Sequence, residues 1–133
     1  RLMPVDNIEQ VKRGYSAFKN RDLDELVAVT HPEVEFTSLV RESEGEVYRG
    51  HEGMREFFKS LIEVLPDWKP EIDTIEDHGD RMLVKARIHA SPPGGDVPLE
   101  QVAWQAIRLR DGLAIRWDFF RTEEEARAAL ADD

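Results

Sequence analysis

The chain has 133 residues, a net charge of −10, 41% hydrophobic residues and no cysteine. That length and apolar content suit a single domain spanning 1–133, with its core at about 6–130, and exclude a disordered chain. So acidic a surface repels phosphate backbones and anionic membrane surfaces, which excludes nucleic acid and membrane partners, and a cysteine-free chain has no disulfide, thiolate metal site or thiol nucleophile and fits a cytoplasmic setting.

Ile8, Val11, Tyr15 and Phe18 recur at helical spacing, with Asp6 and Glu9 placed as a capping box. Asn20-Arg21-Asp22 ends that helix; Leu23, Leu26 and Val27 give a short second one, which Pro32 is expected to stop. Residues 33–40 alternate, with Val34, Phe36 and Ser38 on one face, and so predict a strand. A polar turn over 42–46 and a short return strand, Val47-Tyr48-Arg49, follow. After Gly50, the residues Met54, Phe57, Phe58, Leu61, Ile62 and Leu65 form the strongest helical pattern in the chain, closed by Pro66. The remainder reads as four strands: 68–76, 81–90, 99–110 and 113–121, joined by a turn at 77–80, a loop at 91–98 and the hairpin turn Asp111-Gly112. Thr122, with Glu125 three residues on, caps a short final helix. No internal repeat is present and no apolar run approaches the ~20 residues of a membrane span. No signal peptide is expected. The order predicts an α+β fold, a curved and mostly antiparallel sheet packed on helices.

His51-Glu52 is the first candidate for chemistry. A zinc-protease motif needs a second histidine four residues on, and position 55 is arginine. His31, His78 and His89 are not at ligand spacing, so no metal is expected, and Glu52 reads as a carboxylate in the first turn of a helix. There is no nucleophile elbow, phosphate loop or dinucleotide fingerprint, so no cofactor is expected.

The strand faces say more. On 99–110 the odd positions Gln101, Ala103, Gln105, Ile107 and Leu109 should face the helices; on 113–121 Ile115, Trp117, Phe119 and Arg121 should do so. Two amides would then enter an apolar interior, where each needs a partner, either structural or a ligand. The expected lining is Tyr15, Phe18 and Phe36 from the first half, and Trp68, Met82 and Ile88 from the middle. Gln101, Gln105, Trp117, Phe119 and Arg121 complete it, with Arg121 near the mouth. Gln105 and Tyr15 are the weak catalytic candidates, as polarising donors. The opposite parity carries Leu83, Val102, Trp104, Ala106 and Phe120, an apolar outer patch that suggests a homodimer through the sheet; His89 shares that outward parity.

Tyr15 and Phe18, the Asp22-Leu23-Asp24 restart, Pro32-Glu33-Val34-Glu35-Phe36, Tyr48-Arg49-Gly50-His51-Glu52-Gly53 and Arg110-Asp111-Gly112 together resemble the SnoaL-like polyketide cyclase family of the nuclear-transport-factor-2-like superfamily. The resemblance implies a cone: a strongly bent, cystatin-like sheet around three helices, a mostly apolar cavity, and dimers through the sheet. Known members are isomerases, cyclases, dehydratases, epoxide hydrolases and binding proteins, and fold alone does not choose among them. Where ketosteroid isomerases carry a tyrosine, an aspartate base and a protonated acid, this chain has Gly14, Phe36 and Gln105. The Asp-Arg-Asp set of the epoxide hydrolases is not recognisable either. The expected function is therefore binding of a small, mainly apolar molecule. The alternatives are an isomerase, cyclase or hydrolase on a small apolar or polyketide-like substrate, and a protein-binding adaptor using the outer sheet.

Overall fold

The computed structural model describes residues 6–37, 47–64, 67–90 and 99–131. Its helices are α1 (Asn7–Lys19), α2 (Leu23–Ala28), α3 (Gly50–Val64) and α4 (Glu123–Ala131). Its strands are β1 (Thr30–Phe36), β2 (Tyr48–Arg49), β3 (Lys69–Asp77), β4 (Arg81–Ala90), β5 (Leu99–Arg110) and β6 (Leu113–Phe120). The expected strand positions 38–40, the 42–46 turn, the helix end at 65 and 66, and the 91–98 loop lie outside the described residues.

The capping signals act as their chemistry dictates. Asp6 accepts from the backbone N–H of Ile8 at 3.0 Å, and Asp22 accepts from that of Glu25 at 3.1 Å. Each satisfies an amide that the first helical turn leaves without a partner. The end of α2 differs from expectation. Val29 caps it, and the Thr30 hydroxyl donates to the carbonyls of Leu26 and Val27 at 3.2 and 3.1 Å. The chain is thus already in β1 at Pro32, which does not terminate a helix. The pairing of β1 with β6 slips register between Thr30 and Glu35, an irregular stretch that accommodates a residue with no N–H.

One six-stranded sheet runs β2-β1-β6-β5-β4-β3. All neighbours are antiparallel except β1 and β6, which are parallel. The principal core joins one sheet face to α1 and α3, through residues such as Val11, Phe18, Met54, Phe57, Met82 and Ile107. Burial of side chains of this kind contributes roughly 1.5–3 kcal/mol each. On β1, Glu33 and Glu35 alternate with the buried Val34 and Phe36, and Phe36 enters this core. On β6 a bulge opposite Arg108 and Leu109 alters the expected faces. Ala114 joins the principal core while Ile115 is only half-buried.

The other sheet face is covered in part by α4. Ala126 and Leu130 bury Leu83 and Ala106, with Trp104 and Phe120 packed at the margin. Directly opposed across β4, β5 and β6 stand Arg81, Arg108 and Arg116, a row of like charges that costs stability by itself. Its use lies at the end of α4, where Arg81 donates to the Leu130 carbonyl and Arg108 to that of Ala129. Cations there satisfy the last carbonyls and oppose the negative end of the helix dipole.

Candidate functional site

The concave interior is where the sequence-predicted site residues meet. Tyr15 and Phe18 project from α1, Phe36 from β1, Met82 from β4, Gln105 from β5, and Trp117 and Phe119 from β6; all are buried. Trp68 stands just ahead of β3 and is 2% exposed. Ile88 is half-buried. Two expected lining residues are elsewhere. Gln101, the third residue of β5 and opposite the half-buried Ile88, is exposed. Arg121 lies past the end of β6 and is exposed. Alternation fixes the face of a strand residue but not its depth.

Gln105 is the polar centre of this interior. It is 1% exposed, and its Oε1 accepts from Trp117 Nε1 at 2.7 Å and from the Tyr15 hydroxyl. Neither bond uses the amide nitrogen. Strand pairing sets Gln105 opposite Phe119 and Ile107 opposite Trp117, so the indole reaches back along the sheet to the amide. Gly14 permits this arrangement on the helix side, because a Cβ there would lie 2.8 Å from Trp117 Cη2. Burial raises the Tyr15 hydroxyl well above the usual phenol range, which keeps it a protonated donor.

Aromatic rings enclose this centre. Tyr15 and Trp117 lie with centroids 5.8 Å apart. Phe18 meets Trp68 edge-on at 5.4 Å and Trp117 at 6.3 Å. Phe36 continues the wall, stacked on Tyr48 at 4.9 Å and edge-on to Phe57 at 5.1 Å. Such edge and offset contacts add to area burial and hold rings in fixed orientations. One polar atom here is not accommodated. The Trp68 Nε1 is buried and has no hydrogen-bond partner. Sequence reasoning placed Trp68 in the lining but had no means of separating its N–H from that of Trp117, since both are tryptophans on core-facing positions. Beside α1, a groove of about 420 Å³ runs toward β3, lined by Lys12, Lys19, Glu71 and the flank of Tyr15 among others.

Apart from Tyr15, the acids and histidines among the described residues lie away from this interior. Among the described residues Asp118 is the one buried acid, and it stands on the α4 side, opposite Ala106. Its carboxylate accepts from Arg116 at 2.8 and 3.2 Å and from the Thr37 hydroxyl at 3.3 Å. His51 Nε2 donates to the Thr30 carbonyl at 3.0 Å, joining the start of α3 to β1, and Glu52 is exposed. Gly50 makes this entry with φ +68°, a backbone that glycine adopts without strain. His89 sits on the outer face, 3.4 Å from Glu71 and 3.7 Å from Glu100. No group of three metal-ligating side chains occurs among the described residues. No helix among them is long and apolar enough to cross a membrane.

The outer patch is smaller than the sequence suggests. Leu83 and Ala106 are buried beneath α4, and Trp104 and Phe120 are partly covered. Val102 remains exposed, and Lys85 sits 5.7 Å over the Trp104 ring.

This architecture recurs in known proteins. TerC, co-crystallised with polyporic acid, superposes with a TM-score of 0.76 at 23% identity, covering 95% of this chain and 98% of that one. An NTF2-like protein of unknown function from Burkholderia pseudomallei gives a TM-score of 0.78 at 20% identity, with 95% and 98% covered. An LEH-like epoxide hydrolase of M. tuberculosis gives 0.71 at 14% identity, with 93% and 88% covered. Likenesses this distant in sequence establish the NTF2-like, cystatin-like fold and no activity. No curated protein matches the sequence. The model of the SnoaL-like domain matches residues 11–117, which carry most of α1, the sheet up to the centre of β6 and the whole Tyr15–Gln105–Trp117 cluster, and the chain belongs to that family.

Proposed function

We propose that this domain binds a small, mainly apolar molecule between α1, α3 and the concave sheet. The observation that carries the reading is the aromatic interior built around one buried amide. Gln105 takes both of its bonds on Oε1, from Tyr15 and Trp117, within walls formed by Phe18, Phe36 and Trp68. Rings of this kind supply apolar contact area, and a few fixed polar groups orient what they hold. TerC, of similar fold, was co-crystallised with polyporic acid, a small molecule, which supports the same use of the fold here. Native mass spectrometry of freshly purified protein should reveal a bound species of a few hundred daltons that is released on denaturation. Protein that shows only its bare mass, and whose melting temperature no apolar compound in a panel raises, would count against the reading.

A catalytic variant of the reading rests on Tyr15. Its protonated hydroxyl suits hydrogen-bond donation to a developing oxyanion, in an isomerisation, cyclisation or hydrolysis, and does not suit proton abstraction. If turnover of such a substrate is found, Tyr15→Phe should lower kcat without raising KM in proportion.

A homodimer through the part of the outer sheet that α4 leaves open belongs to the same proposal. Val102 and Trp104 would lie at its centre, with Lys85, Arg87 and Glu100 around them. Sedimentation should then give twice the chain mass, and Val102→Glu should return it to one; a wild-type monomer at high concentration refutes the dimer.

A further inference from the structure

We infer that Trp68 is the group that reads the ligand: its indole N–H donates to an oxygen acceptor on a neutral, otherwise apolar molecule. The inference rests on the binding function proposed above and specifies its chemistry.

Trp68 stands one residue before β3. The register Lys69 to His89 and Pro70 to Ile88 carries it to the rung beside Ala90, on the inner face at the end of the β3–β4 ladder. There it is 2% exposed and meets the edge of Phe18 at 5.4 Å. Its Nε1 is buried without a partner. The contrast with Trp117 is direct. Both are buried tryptophans packed on Phe18, yet Trp117 donates to Gln105 at 2.7 Å and Trp68 to nothing. A buried indole N–H ordinarily finds an acceptor, and one that does not reduces stability. Phenylalanine would fill an apolar position without that penalty, and this chain uses Phe18, Phe57 and Phe58 for that purpose around the same ring system.

The surroundings also set the charge of the acceptor. Among the described residues no lysine or arginine is buried, and the side chains clustered with Trp68 are aromatic and aliphatic. A carboxylate or phosphate buried beside it would lack a counter-charge, whereas a carbonyl or ether oxygen needs only the one donor. The ligand class is thus a neutral ring compound bearing a carbonyl or ether oxygen.

The test uses two probes of nearly the same shape, 2-acetylnaphthalene and 2-ethylnaphthalene, titrated calorimetrically into the wild-type chain and into Trp68→Phe. The ratio of ketone to hydrocarbon affinity should fall about tenfold in the variant, with hydrocarbon affinity kept to within about twofold. An unchanged ratio overturns the role of Trp68 and leaves the binding function standing. Failure of the wild-type protein to bind either probe overturns both. A second measurement does not depend on the variant's folding. In ¹⁵N-labelled wild-type protein, the ketone and not the hydrocarbon should move a buried indole N–H resonance downfield; equal shifts with both probes overturn the inference.

Discussion

Gln105 joins two parts of the chain that are far apart in sequence, since its partner Tyr15 lies 90 residues away. Gln105→Leu would strand two buried donors at once. The unfolding free energy in urea should fall by about 2–5 kcal/mol. Tyr15→Phe leaves Trp117 still bonded to the same oxygen and should cost only about 1 kcal/mol. At Gly14, a methyl group would arrive 2.8 Å from the Trp117 ring, which is fixed by its own hydrogen bond. Gly14→Ala should therefore destabilise by about 1–3 kcal/mol in the same measurement, despite alanine's better helix propensity. Strand parity alone sufficed to turn Gln105 inward and Trp104 outward. It did not reveal what Gln105 bonds to, because that depends on the approach of α1 to β6. Nor did it reveal that Gln101, of the same parity, emerges into solvent.

The element with most to teach is α4. Thr122 and Glu125 announce its start, and the Thr122 hydroxyl does accept from the Glu125 N–H at 3.2 Å. Which surface it covers was not legible, because Ala126 and Leu130 form too slight an apolar stripe to select one face of the sheet. Long-range ionic contacts complete the choice. Arg127 donates to both oxygens of Glu76 at 2.7 and 3.1 Å, and Arg81 and Arg108 receive the helix end. The bond from Arg127, with a further one from His78, lowers the Glu76 carboxyl from 4.5 to about 2. A carboxyl so lowered favours the docked helix above its ordinary value, and that contribution disappears as the pH falls from 4.5 toward about 2. Acid titration followed by Trp104 fluorescence should show α4 loosening across this window. Glu76→Gln should remove that component of the change and leave the rest.

At the scale of the whole molecule, the sequence conveyed an α+β cone with a run of antiparallel strands, and the order β6-β5-β4-β3 agrees. The parallel neighbour relation of β1 and β6 left no local mark, since the first strand and the last are brought together only by the completed fold. That junction leaves two margins to the sheet. One is β2, only two residues long. The other is β3, with Pro70 near its start and Lys69, Glu71 and Asp73 projecting into solvent. A margin without a full row of amides, bristling with charge, is a poor template for an incoming chain. Replacing Pro70 and Glu71 together by valine should raise thioflavin-positive precipitate on prolonged incubation near the melting temperature, where the parent chain stays clear. Among the described residues both flanks thus discourage fibril-like growth, and the surface they leave for copies of this chain to meet is broadside, face against face as tiles stack.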